Sequence, residues 1–245
     1  LVLESDDGLA ILSRDTLQAL ADALDALSQD TGIRALVLTG SGDRVFSAGA
    51  DLHEIAALDA ERARHFAEFG QNVAQAIARF PVPTIAALNG PAYGGGIELA
   101  LACDFRLARA GIRLQYQAAK LGLLPGWGGT QRLRALVGPA RAKHMMLLCR
   151  PVLANEALQW GLLDAVADGP LDPLLERWLA DLTALEPQVA IQTKRAIDLV
   201  HVGDFAGERD AFAACFAGGR TNQLVREWLA TRKEPRSETH PIQRR

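Results

Sequence analysis

The chain has 245 residues, 49% of them apolar and few of them aromatic, so it can bury a large aliphatic core in one domain with or without a helical extension. A net charge of −3 without a long basic run argues against nucleic-acid or membrane-surface partners. The three cysteines (Cys103, Cys149 and Cys215) form no CxxC pair, so the sequence indicates neither a zinc site nor a disulfide framework.

Strand and helix patterns alternate over the first part of the chain. Ser13 is placed to cap a helix whose apolar residues recur at helical spacing from Leu17 to Leu27. A second helical stretch runs from about 59 to 80. Buried strands, bounded by turn residues, are predicted at 35–40, 84–89 and 104–109, with a shorter one in RLQYQ.

From Gly138 onward the pattern changes to helices, with one short strand among them at 162–167. The helical segments are PARAKHMMLL, NEALQWG, PLLERWLADLTAL, PQVAIQTKRAIDLV and GERDAFAACF. We therefore predict an α/β domain at 1–138, built from βαβ units with right-handed crossovers, and a helical region at 139–245.

Two loops carry small residues between a predicted strand and a helix. FSAGADL (46–52) follows the first strand, and YGGGIEL (93–99) follows the second. A helix N-terminus offers unpaired N–H groups, and small residues let a ligand oxygen reach them. Two such amides that meet at one point form an oxyanion hole, whereas a lone glycine loop commonly serves only a tight turn.

The common glycine and metal motifs are absent from the sequence. GxGxxG fails because Leu99 stands three residues after Gly96, and there is no GxxxxGK[ST], GxSxG or HExxH. These absences argue against a dinucleotide site, a phosphate loop, a serine-hydrolase elbow and a zinc-protease site.

Three segments together resemble the signature of the enoyl-CoA hydratase/isomerase (crotonase) superfamily. They are RVFSAGADL, NGPAYGGGIELALACD and LGLLPGWGGTQRL, and NEALQWGLLDAV resembles the stretch that follows them in that family. The resemblance covers residues 13–233. It implies a crotonase-like α/β fold, a spiral of ββα or βαβ units. The C-terminal helical region of that fold closes the pocket and forms trimers or dimers of trimers.

The resemblance also implies the substrate, an acyl-CoA thioester that reacts through an enolate. The N–H groups of Ala50 and Gly95 would hold the enolate oxygen, and Ala48 lies where the family backbone contacts the adenine of coenzyme A. Coenzyme A is then part of the substrate, so the resemblance implies neither a metal nor a separate cofactor.

Glu98 matches the first catalytic glutamate of the family's hydratases. An apolar pocket would raise its pKa and let it exchange protons near neutral pH. Asp51 fits a helix cap better than a reacting group, and core packing explains Trp127 as well as substrate contact does. The residues assigned to substrate binding beside Ala48 are Gly49, Asp51, Leu52, Tyr93, Gly94, Gly96, Pro125 and Trp127.

The sequence departs from the hydratase pattern at the second catalytic glutamate. That residue lies four positions before the glycine that opens LGLLPG, and counting back from Gly122 gives Ala118. An alanine can neither accept nor donate a proton, so Glu98 is predicted to act as the single acid and base. The polar residues nearby, whose orientation the pattern does not decide, are Gln115, Tyr116, Gln117 and Lys120.

Several functions remain open with one acid. Hydratase or isomerase proton transfer is one, and decarboxylation of an alkylmalonyl thioester is another. ACDFRL, PGWGG and the segment at 208–219 resemble the ethylmalonyl-CoA decarboxylase branch, although that branch has a histidine at the position of Ala118. A catalytically silent acyl-CoA binder is a third. RNA binding, known in some relatives, is disfavoured because the helix at 59–80 mixes acids with its bases.

A second departure lies near the start of the chain. Family members carry a strand and an Asn-Arg-Pro-type turn between the counterparts of DGLA and ILSRDTL, which abut here at Ala10 and Ile11. We expect that residues are missing at this point, and the phosphate-binding residue on that side is unassigned. REWLATRKEP (226–235) resembles the family's last helix, where Arg232 or Lys233 could meet a phosphate.

The expected location is the cytoplasm. The segment LVLESDDG has no apolar signal core, and no window has the uninterrupted apolar length of a membrane span. The predicted partners are an acyl-CoA thioester and further copies of the chain, with neither nucleic acid nor membrane.

Overall fold

The computed structural model describes residues 1–5, 8–198 and 221. Within them the strands are β1 (Val2–Leu3), β2 (Ile11–Leu12), β3 (Leu36–Gly40), β4 (Gly49–Ala50), β5 (Thr84–Leu88), β6 (Ala92–Tyr93), β7 (Phe105–Arg109), β8 (Arg113–Gln115), β9 (Val152–Leu153) and β10 (Ala165–Ala167). The helices are α1 (Arg14–Ser28), α2 (Leu52–Ala56), α3 (Ala60–Ala78), α4 (Gly95–Ala100), α5 (Gly129–Leu148), α6 (Ala154–Gln159), α7 (Asp172–Ala184) and α8 (Pro187–Asp198). A 3₁₀ turn spans Ala118–Leu121.

A five-stranded parallel sheet in the order β1-β3-β5-β7-β10 is the centre of the fold. Three of its strands fall inside the predicted ranges at 35–40, 84–89 and 104–109. Every residue of β5 is buried, which is typical of a parallel strand covered on both faces. Helix α7 packs on one face through an apolar cluster that includes Ile85 and Leu107. The α/β class is confirmed.

Side-chain caps define where the first helices begin. The Ser13 hydroxyl accepts a hydrogen bond from the Thr16 N–H at 3.2 Å, and the Asp59 carboxylate accepts one from the Arg62 N–H at 2.8 Å. Both caps agree with the predicted helix starts. Helix α2 begins after a third cap at Asp51, which is the role that the sequence favours for this residue.

The N-terminal segment contributes only two residues, those of strand β1, to the main sheet. Strand β1 pairs with β3 at the edge, while β2 leaves that sheet and pairs with β4. Ala10, between them, has a φ of 48°, a left-handed conformation that is strained for a residue with a Cβ. The short edge strand occupies the place beside β3, and the expectation of missing residues at Ala10 and Ile11 stays a prediction.

Residues Leu1–Pro187 form one compact unit, and the chain divides after Pro187. The predicted boundary at 138/139 lies at a kink within α5, where Gly138 has a φ of 78° and Pro139 follows, and it stays a prediction. Among the described residues, none of the helices is both long and apolar enough to cross a membrane. The predicted helices at 207–216 and 226–235 lie outside the described residues.

Candidate active site

Two small sheets hold the predicted loops side by side. Strand β2 pairs with β4, and β6 pairs with β8. The Tyr93 N–H also donates to the Ser47 carbonyl at 3.0 Å. Gly49 has a φ of 90°, and a Cβ there would lie 2.8 Å from the Tyr93 carbonyl oxygen and 3.3 Å from the Gly95 nitrogen. Glycine is thus required at 49, and the amides of Ala50 and Gly95 come to lie on neighbouring segments of backbone.

The glycine run before Glu98 makes room for protein atoms as well as for a ligand. Gly94 has a φ of 42°, where glycine carries little strain. A Cβ on Gly95 would lie 2.3 Å from the Trp127 ring, and one on Gly96 would lie 2.7 Å from the Ser47 Cβ. Because Gly95 begins α4, the helix offers no acceptor for its N–H.

A cavity of about 530 Å³ opens beside these loops. Its lining is mostly apolar, and Glu98 is the single carboxylate among the described residues that form it. The lining side chains that the sequence analysis did not single out include Ile55, Leu58, Phe66, Leu121, Leu123 and Leu124. Ile55 lies on α2, Phe66 on α3 and Leu121 on the 3₁₀ turn, and the other three lie in the loops that follow α2 and the turn. The positions of α2 and α3 over the cavity depend on tertiary packing that no local motif encodes.

Most of the predicted site residues line this cavity, namely Ala48, Gly49, Ala50, Leu52, Tyr93, Gly94, Gly95, Glu98, Ala118, Pro125 and Trp127. Asp51 and Gly96 do not. The Asp51 carboxylate accepts a hydrogen bond from the His53 N–H at 2.7 Å and caps α2, and Gly96 packs against Ser47. The structure shows structural roles for these two residues, and their contact with substrate stays a prediction.

Glu98 is fixed by two backbone donors from a distant segment. Its side chain projects from α4 and is 3% exposed. The N–H groups of Trp127 and Gly129 each donate to its Oε1 at 2.8 Å. Since both bonds use one oxygen, Oε2 is the atom available to exchange a proton with a bound molecule.

Burial raises the pKa of Glu98 from 4.5 to about 7, because the apolar surroundings disfavour the charged form. The N–H groups of Gly129 and Trp127 act in the opposite direction, and so does the positive charge of Arg132. The carboxyl can therefore both take up and release a proton near neutral pH, as a general acid and base must.

Trp127 connects the core to Glu98. Its ring is 2% exposed and packs at 5.6 Å from the Phe66 ring, and a Cβ on Gly70 would lie 2.2 Å from it. Its backbone N–H meanwhile holds Glu98. The two interpretations of Trp127, pocket wall and core residue, both apply.

The position of the second glutamate holds no acid. Ala118 lines the cavity, and Tyr116 and Gln117 lie beside it. The Gln115 side chain turns away and donates to the Cys149 carbonyl at 2.8 Å, and Lys120 is not part of the lining. Strand β8 ends at Gln115, so the alternation of side chains between the two faces of a strand does not extend to Tyr116, Gln117 and Ala118.

Replacing Glu98 with Gln is expected to stabilise the fold at pH 8 but not at pH 4. Because burial raises the pKa of Glu98, its contribution to the stability of the wild type is fully present below pH 4.5, the pKa of a glutamate in the unfolded chain. That contribution is lost as the pH rises through about 7, the pKa in the folded protein. An amide does not titrate, so it avoids a loss on the order of 3 kcal/mol. Urea unfolding at both pH values measures the difference. A stability difference that is the same at both would contradict the raised pKa.

The chain is similar to known proteins in sequence and in fold. The family model for enoyl-CoA hydratase/isomerase matches residues 8–202. The chain is 36% identical to the crotonyl-CoA hydratase of Syntrophomonas wolfei subsp. wolfei, over 95% of this chain and 96% of the relative. It is 33% identical to the short-chain-enoyl-CoA hydratase of Clostridium acetobutylicum, over 92% and 88%. The crystal structure of an enoyl-CoA hydratase from Bacillus anthracis superposes with a TM-score of 0.80 at 34% identity, over 87% and 84%.

Proposed function

The chain belongs to the enoyl-CoA hydratase/isomerase family, and from this premise we propose that Glu98 alone carries the proton in a hydratase or isomerase reaction on an acyl-CoA thioester. The environment of Glu98 carries the proposal. Glu98 is the single carboxylate among the described lining residues, its Oε1 is fixed by two amides, and its pKa is about 7.

The amides of Ala50 and Gly95 would bind the thioester oxygen. As a nucleophile adds to the β-carbon of the substrate, or as a proton leaves its acyl chain, negative charge moves to this oxygen and forms an enolate. N–H donors fixed in advance stabilise that charge without reorganising, and one donor is worth roughly 3 kcal/mol in the transition state. The Gly49 backbone supports this role, because it brings the two segments together.

Glu98 would complete the reaction by moving one proton. In hydration, the carboxylate takes a proton from water while the water oxygen bonds to the β-carbon, and the same proton then passes to the α-carbon of the enolate. In isomerisation, it takes a proton from one carbon and returns it to another. Both reactions begin with the carboxylate form and balance without a redox cofactor or a metal ion.

The lining favours an aliphatic acyl group. No cation occurs among the described lining residues, so a second carboxylate on the substrate, as in an alkylmalonyl thioester, would enter an apolar cavity uncompensated. This observation weighs against the decarboxylase alternative. The names of the two relatives, crotonyl-CoA hydratase and short-chain-enoyl-CoA hydratase, support a short 2-enoyl-CoA.

Product analysis by mass spectrometry tests the proposal. The wild type is expected to add water to crotonyl-CoA or to shift the double bond of 3-butenoyl-CoA, with kcat/KM rising as the pH passes through about 7. Ethylmalonyl-CoA should be left intact. Release of CO₂ from ethylmalonyl-CoA would overturn the proposal in favour of the decarboxylase. Binding of all three thioesters without turnover would indicate the silent binder.

Assembly into trimers or dimers of trimers stays a prediction from the family. Sedimentation equilibrium of the purified protein measures it directly.

A further inference from the structure

Tyr116 buries a hydroxyl that has no hydrogen-bond partner among the described residues. The residue is 0% exposed and lies at the cavity beside Glu98. An unsatisfied buried hydroxyl costs free energy, and phenylalanine would fill nearly the same volume without that cost. The hydroxyl therefore points to a partner that it gains in another state of the site.

Glu98 is the group best placed to be that partner. The Tyr116 hydroxyl oxygen and the Glu98 Oε1 each lie 2.8 Å from the point where a Cβ on Gly129 would sit, so they are at most twice that distance apart. The missing side chain at 129 is what lets both oxygens occupy this region. A carboxylate has about four acceptor sites, so Glu98 can accept a further donor beside its two amides.

The other charged and titratable groups near α4 are already engaged. On α5, the Arg132 guanidinium donates to the Trp127 carbonyl at 3.1 Å and to the Gln75 side chain at 3.2 Å. On β6, the Tyr93 hydroxyl accepts from Arg113 at 3.0 Å. Strand β4 contributes no titratable side chain, and the buried residues of α3 are Gly70, Val73, Ala74 and Ile77.

We propose that Tyr116 is a positioning residue for Glu98, whose hydroxyl donates a hydrogen bond to the carboxylate form of Glu98 during turnover. The inference rests on the proposed function, in which Glu98 alternates between its charged and neutral forms. The phenol keeps its own proton throughout, since burial and the negative charge of Glu98 raise its pKa. A donor that engages only the charged form favours that form, and so sets the pH at which Glu98 can act as a base.

Tyr116→Phe tests this, because it removes the hydroxyl and keeps the ring. The acidic limb of kcat/KM for crotonyl-CoA hydration is expected to move up by about one pH unit, which is about tenfold in rate on that limb. The plateau above the limb should change little, and Tm should stay the same or rise. A purely structural role predicts the opposite pattern, a lower Tm with the limb unmoved, and that result would overturn the proposal.

Tyr93→Phe is the matched control. It removes the same group from the other tyrosine of the cavity, whose hydroxyl faces Arg113, and should leave the limb in place whatever its effect on KM. An inactive wild type would overturn the proposed function alone. Infrared titration of the Glu98 carboxyl, identified with Glu98→Gln, would then make the same test. A higher midpoint in Tyr116→Phe supports the inference, and an equal midpoint overturns it.

Discussion

Glu98→Gln is expected to lower kcat for crotonyl-CoA hydration by about 10³-fold and to change KM by no more than a few-fold. The amide oxygen can still accept hydrogen bonds from the N–H groups of Trp127 and Gly129, so the geometry of the cavity is kept. An amide cannot take a proton from water, however, and Ala118 offers no substitute. Steady-state kinetics at pH 8, where the wild-type carboxyl is charged, measure the loss.

An exposed glutamate away from the cavity provides the control for that experiment. Glu156→Gln on α6 removes the same charge without touching the lining and should leave both constants unchanged. A loss below about tenfold in Glu98→Gln would show that another group moves the proton, and the single-acid mechanism would then be wrong.

The sequence predicts best those features that depend on neighbouring residues. Ser13 and Asp59 cap their helices through residues three positions away, and the strand at 84–88 is a short apolar run between a proline and a glycine. The loops at 46–52 and 93–99 carry a motif specific enough to place Glu98 in a pocket. These signals are local, so they can be recognised without knowledge of the tertiary fold.

Features that depend on contacts between distant segments could not be read in the same way. Nothing near Tyr116 shows that its hydroxyl would be buried beside Glu98, because β8 ends one residue earlier. The kink at Gly138 carries a visible signal, the Gly-Pro pair, but this signal marks a bend within a helix as readily as a boundary. The positions of α2 and the 3₁₀ turn over the cavity have no sequence signature at all.

The Trp127 segment shows why packing and chemistry are coupled in this site. The ring lies against Gly70 on α3 and against Gly95, and the backbone of the same residue donates to Glu98. A displacement of the ring therefore acts on Glu98, the proposed proton-transfer group, through one residue. The glycines at 70 and 95 maintain the geometry around Glu98 by leaving space for the Trp127 ring, although Gly70 lies outside the cavity lining.

Gly70→Ala is accordingly expected to destabilise the protein by about 2 kcal/mol and to lower kcat by about tenfold or more. A Cβ at 70 would lie 2.2 to 2.5 Å from three ring atoms of Trp127, and a tryptophan that is only 2% exposed has little room to move. Overpacking of this kind costs about 1–3 kcal/mol, and the loss should appear although alanine favours a helix over glycine by roughly 0.5–1 kcal/mol. Urea unfolding and crotonyl-CoA kinetics measure the two effects.

Gly169→Ala separates the steric effect from the general effect of adding a methyl group, since a Cβ at 169 would meet nothing within 4 Å. It should leave stability and kcat near the wild-type values. If Gly70→Ala proves as stable as the wild type, the ring must yield easily, and Trp127 would not be the rigid support that the geometry indicates. A destabilised variant with unchanged kcat would contradict only the coupling, because the ring would then move while the Trp127 N–H kept its bond to Glu98.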